Sequence, residues 1–455
     1  KEYAYRSYFG RVMYSYADRY LFQANIRHDG SSRFAKKHRW GTFPSFSAGW
    51  VLSEENFMKN LNWEWLSFLK IRATWGALGN ERIGDFPYMS TIAFGNTIFY
   101  QNNGIYFDQT ASQQKYAIEN VTWEKTESTD IGLDISFLNN RLRVNGDYYW
   151  KNTKDMLLAM AIPDFLGFSD PDVNAGKMST KGYELNVSWN DHIGDFSYGI
   201  AINFSDFTSK MGDLQGTQFL GDKVKMEGSE FNEWYGYVSD GLFLTEEDLK
   251  NSPKINDKNT QLGDIKYKDI SGPDGVPDGK ISPEYDRVLL GSSLPHFLYG
   301  GNINLGYKNF DLSLAFQGVG KQNARLAREM VEPFRNNYGN FPAIIDGNYW
   351  SPYNTDEQNA VAKYPRLTHV NKSSNYAMSD YWLFNGGYFR LKNITLGYTF
   401  PKEWMNAIGI KGARIYASAS DLFCLSKYPK GWDPEMGVSE YPITTSILLG
   451  VSVNF

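Results

Sequence analysis

Apolar and polar residues alternate along much of this chain with a period of two. In Ser446–Phe455 the odd positions are Ile447, Leu449, Val451, Val453 and Phe455, against Ser446, Leu448, Gly450, Ser452 and Asn454. Tyr183–Asn190 sets Tyr183, Leu185, Val187 and Trp189 against Glu184, Asn186, Ser188 and Asn190. Phe196–Ser205 does the same with Phe196, Tyr198, Ile200, Ile202 and Phe204. A strand points successive side chains to opposite faces, so each segment has one apolar and one polar face. Many such strands with aromatic ends predict an all-β fold, a transmembrane antiparallel barrel with lipid outside and water inside.

The pattern predicts about thirteen strands. They lie near Tyr8–Tyr16, Tyr20–His28, Thr42–Leu52, Phe68–Gly76, Asp130–Leu138, Leu142–Trp150, Tyr183–Asn190, Phe196–Ser205, Phe297–Tyr307, Phe310–Gln317, Tyr388–Phe400, Arg414–Ser420 and Ser446–Phe455. Short connections (Ala17–Arg19, Asn139–Arg141, Asp191–Asp195, Lys308–Asn309) alternate with long ones (77–129, 151–182, 206–296, 318–387, 421–445). Outer-membrane barrels have short periplasmic turns, long extracellular loops and an even strand count. On that rule the first and last strands both run inward, and an odd number of strands is expected before Lys1. Residues 1–455 are therefore expected to be the C-terminal part of a larger barrel. One strand changes phase: Phe389 and Leu391 are odd, whereas Ile394, Leu396, Tyr398 and Phe400 are even. A one-residue slip exchanges faces, so a bulge is expected near Asn393.

Length alone suggests two or three soluble domains, but one large barrel absorbs the whole chain. Mean hydropathy is −0.47, and no run approaches the roughly 18 apolar residues of a membrane helix. A strand barrel escapes that test because only alternate residues face lipid. The 31 Tyr, 30 Phe and 13 Trp suit interfacial girdles and ligand-stacking loops. A net charge of −5 offers no cationic field for nucleic acid. Cys424 is the only cysteine, which excludes an internal disulfide and a thiolate metal cluster. Lys1–Arg6 has no apolar signal core, so any targeting segment is expected upstream or removed.

Several stretches resemble one family. They are Gly10–Tyr20 followed by Asn25–Phe34, Phe43–Trp50, Leu69–Gly76 with Gly79-Asn80, and Trp123–Thr126. To these add Asn174-Ala-Gly176 with Lys181–Leu185, Phe389–Pro401, and Asp433-Pro-Glu435 before the last strand. In combination they resemble the SusC/RagA family of TonB-dependent outer-membrane transporters. The resemblance implies a barrel of about 22 strands, of which this is roughly the C-terminal thirteen. It also implies a plug domain, N-terminal strands and a TonB-contacting segment outside this chain. The implied partners are a SusD-like surface lipoprotein as lid and TonB as energy source. The implied cargo is an oligosaccharide, in some members a peptide, and no cofactor is required.

The segment from Asp269 through Asp274 and Asp278 to Asp286 resembles an acidic calcium loop, because Asp278-Gly279-Lys280-Ile281 mimics the middle of an EF-hand. Its register departs from the pattern: Val276 and Tyr285 stand where ligands belong. A Gly/Pro/Asp turn cluster explains the same residues. Trp234, Tyr235 and Tyr237 are candidates to stack on sugar rings, with Asn232, Glu233 or Asp240 reaching hydroxyls; loop packing is the alternative. Tyr106 and Phe107 with Gln101-Asn102-Asn103 form a second such cluster. Tyr14, Tyr16, Tyr148, Trp150, Trp189, Tyr398 and Phe400 fall near strand ends and suit an interfacial girdle. Phe455 suits an insertion signal of the kind the family implies.

Thr245–Lys250 begins like a capped helix, and Asn323–Glu332 also reads helical. The polar residues Asp130, Asp134, Arg143, Asn145 and Asp147 are expected to wet the lumen. Enzymatic readings fare poorly. The five histidines are scattered, and no HExxH, GxSxG or GxxxxGK[ST] occurs. A passive porin and a barrel scaffold for surface assembly are the remaining rivals to an importer.

Overall fold

The computed structural model describes residues 3–101, 104–113, 116–160, 162, 164–216, 220–335, 340–436 and 440–455. Thirteen strands join in sequence order into one antiparallel sheet. They are β1 (Tyr5–Tyr16), β2 (Tyr20–Ser31), β3 (Trp40–Val51), β4 (Leu66–Asn80), β5 (Glu124–Phe137), β6 (Leu142–Lys154) and β7 (Met178–Ile193). There follow β8 (Phe196–Met211), β9 (His296–Tyr307), β10 (Phe310–Lys321), β11 (Tyr388–Thr399), β12 (Gly412–Ser426) and β13 (Ser446–Asn454). Every strand read from the alternation is present. The tight turns also follow from sequence: Ala17 and Asp18 both sit at φ 51°, the left-handed pair a two-residue hairpin needs.

The chain divides into two compact units. The first comprises Lys1–Val187, Phe207–Gln218 and Met226–Gly228. On its polar sheet face Arg72 of β4 stands opposite Gly132 of β5, which stands opposite Asp147 of β6. The Arg72 guanidinium lies across that glycine, 2.6 Å from Asp147 Oδ1 and 3.2 Å from Asp134 Oδ2. A Cβ at residue 132 would collide with it. Asn145 donates to Asp134 Oδ1 at 2.9 Å. Cross-strand pairing thus holds the charges of the expected lumen residues in register. The opposite face exposes Ile71, Trp75, Ile131 and Tyr148, and Tyr16, Tyr20 and Trp50 make an aromatic row with centroids 6.3 and 6.4 Å apart. An apolar face this broad belongs against lipid.

The family-like stretches of this unit are packing devices. Phe34, Phe43 and Trp123, from three separate stretches, join Ile83 and Val121 in one buried cluster. Trp123 Nε1 donates to Arg39 O at 3.1 Å. A Cβ on Gly79 would overlap the Phe43 ring. Asn174 accepts from Thr122 N at 2.7 Å and donates to the carbonyls of Thr122 and Asp155, both at 2.9 Å, tying two loops together. The loop between β4 and β5 also contains a hairpin that the sequence did not announce, Ile92–Gln101 paired with Gly104–Gln113.

The second unit comprises Ser188–Asp206, Phe219–Lys225 and Ser229–Phe455. It repeats the rung: Arg414 of β12 reaches over Gly397 of β11 to Asp311 of β10, Nη2 to Oδ2 2.5 Å. The expected phase break is a bulge where Lys392 and the pair Asp421–Leu422 drop out of register. Lys392 Nζ meets Asp421 Oδ1 at 2.7 Å there. Arg390, 2% exposed, pairs with Asp433 at 2.5 Å and Glu435 at 2.6 Å. The Phe389–Pro401 and Asp433-Pro-Glu435 stretches therefore recognise each other.

Glu246–Asn251 is helical, and Thr245 Oγ1 accepts from Asp248 N at 3.1 Å as a helix cap. The helix expected over Asn323–Glu332 is shorter. Only Arg328–Val331 is helical, because Asn323–Arg325 forms a ladder with Leu383–Asn385. Backbone pairing there overrides helix propensity.

Candidate functional site

The long loops of the second unit fold around their own apolar core. Tyr237, Leu242, Tyr267, Met330, Ile345 and Trp382 are among its buried members. Buried aromatic groups with polar tips need partners, and they have them. Tyr267 donates its hydroxyl to Ser374 O at 2.7 Å, and Trp382 Nε1 donates to Asn375 O at 2.9 Å. Burial pushes the Tyr237 and Tyr267 phenols above the ordinary tyrosine range, so both are neutral.

A polar hub sits beside this core. Asp264 is fully buried and forms a two-pronged ion pair with Arg366, Oδ1 to Nε 2.7 Å and Oδ2 to Nη2 3.1 Å. The amides of Asn371 and Asn375 also donate to it, at 2.8 and 2.9 Å. This hub closes loops more than a hundred residues apart, and no local motif announces it.

Trp234, Tyr235 and Tyr237 lie on a short strand, Glu233–Tyr237, paired with Arg287–Gly291. The fold uses all three. Trp234 Nε1 donates to Asn323 O at 2.6 Å, and Lys223 Nζ sits 4.6 Å from its ring. Arg287 lies 4.8 Å over Tyr235, and Tyr237 stands 5.3 Å from Tyr267. The polar neighbours are engaged as well. Glu233 accepts from Glu230 N at 2.8 Å, Asn232 O accepts from Ser293 Oγ at 2.6 Å, and Asp240 pairs with Lys266 at 3.1 Å. Tyr106 and Phe107 have the opposite fate: they stand 52% and 75% exposed on the hairpin. Asn102 and Asn103 of that cluster lie outside the described residues.

The four aspartates of the acidic loop do not converge on one ion position. Asp286 is buried and accepts backbone N–H groups from Ile270, Ser271 and Ser282 at 2.8, 3.2 and 2.6 Å. Asp269 accepts from Gly279 N at 2.6 Å, Asp278 from Lys280 N at 3.0 Å, and Asp274 is exposed. Among the described residues no group of three or more His, Cys, Asp or Glu has metal-holding geometry. Asp269, Asp278 and Asp286 thus cap turns of the loop.

Sequence reading missed a cleft of about 580 Å³ walled by Tyr349, Trp350 and Tyr353 over Leu249 and Leu262. The only hint was the aromatic density of Tyr349–Tyr353.

Comparison with known proteins adds the following. The family model described as TonB dependent receptor-like, beta-barrel matches residues 1–422. The TonB-dependent receptor SusC of Bacteroides thetaiotaomicron is 32% identical over 468 residues, 99% of this chain and 43% of that protein. TonB-dependent receptor P3 of Formosa agariphila is 31% identical over 453 residues, 94% of this chain and 42% of that protein. A solved structure of the RagAB peptide transporter superposes with a TM-score of 0.80 at 23% identity, covering 100% of this chain and 47% of that one. That last likeness is one of fold. The chain spans less than half the length of the curated relatives it matches.

Proposed function

The chain belongs to the TonB-dependent receptor-like β-barrel family of the outer membrane, and from that premise we propose that it is the C-terminal barrel portion of a nutrient importer. The cargo is an oligosaccharide, captured outside the cell with a SusD-like lipoprotein as lid and moved inward with energy from TonB. The observation that carries this reading is the two-faced sheet. One face is apolar enough to sit in lipid, and the other holds cross-strand ion pairs such as Arg72–Asp147 and Arg414–Asp311. A wall of this kind separates hydrocarbon from a wet lumen.

The test is uptake of fluorescent hexasaccharides by cells lacking the full-length gene, by complemented cells, and by complemented cells without TonB. Uptake that needs both the gene and TonB supports the importer. Uptake that persists without TonB makes the barrel a passive pore. Undiminished uptake in the deletion strain, with loss of a surface complex, makes it a scaffold. Fluorescent peptides taken up in place of sugars keep the importer and replace its cargo.

A further inference from the structure

We propose that the cleft at Tyr349–Tyr353 is a binding subsite for one ring of a neutral oligosaccharide, and this deepens the importer reading, on which it rests. Its volume of about 580 Å³ lies within the roughly 300–1,000 Å³ typical of small-ligand sites. Two features set the ligand class.

The first is a fixed aromatic platform. The Trp350 indole lies against Gly263, where a Cβ would collide with the ring, so one face of the indole is held by backbone. Trp350 N also donates to Tyr364 O at 3.0 Å, anchoring the residue. Tyr353 beside it is 96% exposed. A tyrosine so open adds nothing to the core, yet it provides a flat face for stacking on the C–H side of a pyranose.

The second is the charge balance. Arg366 lines the cleft, but its charge is already met by the two-pronged contact to Asp264. The cleft therefore does not call for an anion. Glu246, Gln261 and Ser351 add polar groups to the lining, a mixture of acceptors and donors that hydroxyls satisfy.

The experiment uses the full-length protein in detergent micelles and isothermal titration with four neutral hexasaccharides (α-glucan, β-glucan, xylan and mannan), alongside a mixed hexapeptide library. At least one hexasaccharide is expected to bind with quenching of tryptophan fluorescence. Trp350→Ala is expected to weaken it at least about tenfold. Tyr353→Ala, which removes a side chain almost wholly in solvent, is expected to weaken it several-fold with unchanged thermal unfolding. Wild-type affinity in both variants, with cellular uptake intact, overturns the cleft and leaves the importer reading standing. Binding of peptides but none of the hexasaccharides overturns the ligand class. Loss of TonB-dependent uptake of every probe by the wild-type protein overturns the reading beneath both.

Discussion

In the second unit the loop residues Tyr237, Tyr267, Tyr376 and Trp382 are 7%, 3%, 7% and 2% exposed. In the first, the hairpin residues Phe94, Ile98, Tyr100 and Phe107 are 83%, 61%, 74% and 75% exposed. Both segments connect strands of the same sheet, and both are rich in aromatic residues. What separates them is polar closure. The buried loop has Asp264 to bring Arg366, Asn371 and Asn375 together, so its aromatic groups have something to pack beneath. Among the described residues the hairpin's strands form a two-stranded sheet, and a two-stranded ribbon is marginal in water. Aromatic content alone therefore does not locate a binding surface. A loop that builds its own core consumes its aromatic residues, and only those left over, such as Tyr353, are free to meet a ligand.

The sharpest way to break this contrast is Asp264→Ala. It leaves the part-buried Arg366 without its carboxylate and both asparagine amides without an acceptor. Removing one partner of a buried pair costs about 3–5 kcal/mol. Hydrogen–deuterium exchange on the full-length protein in micelles is expected to show loss of protection over residues 260–270 and 363–382. The amides of β10–β13 should stay protected. Unchanged loop protection would mean that the hub does not close the loops.

Acid probes the same loops more gently. Burial pushes the Glu332 carboxyl up, but its contacts to Arg328 (2.6 Å) and Lys372 (3.0 Å) outweigh burial and hold it below the ordinary glutamate range. A carboxyl depressed in the folded state adds stability that is complete above the unfolded value of about 4.3. That contribution disappears as pH falls through the lower folded value. Loop protection is therefore expected to decline below about pH 4, and Glu332→Gln should flatten that part of the profile. A variant with the same acid slope would assign the effect to other carboxylates. A smaller change tests the helix cap: Thr245→Ala, which frees Asp248 N, is expected to cost about 1 kcal/mol. Faster exchange confined to Glu246–Asn251 would record it.

The sheet was legible in sequence because each strand faces two solvents, and a period of two is what two solvents demand. Even the bulge at Lys392 appeared as a phase slip. Strand ends were less legible: β8 runs on to Met211 and β12 to Ser426, beyond the last residues of the clear alternation, and in β12 the bulge opposite Lys392 breaks the period there. The loop core was illegible for a different reason. Asp264 meets Asn375 across 111 positions, and no window contains both. The motifs that carried the family resemblance recorded packing, as Phe34, Phe43 and Trp123 show, and so identified the fold without marking a ligand.

The gentlest test lies on the hairpin. Phe107→Ser removes a large apolar side chain, which in the loop core would cost about 3–5 kcal/mol. On a ring already 75% exposed it is expected to change thermal unfolding by less than about 0.5 kcal/mol. A cost of several kcal/mol would show that something covers this ribbon in the full-length protein, and the contrast between the two loop regions would then be one of partner, not of packing.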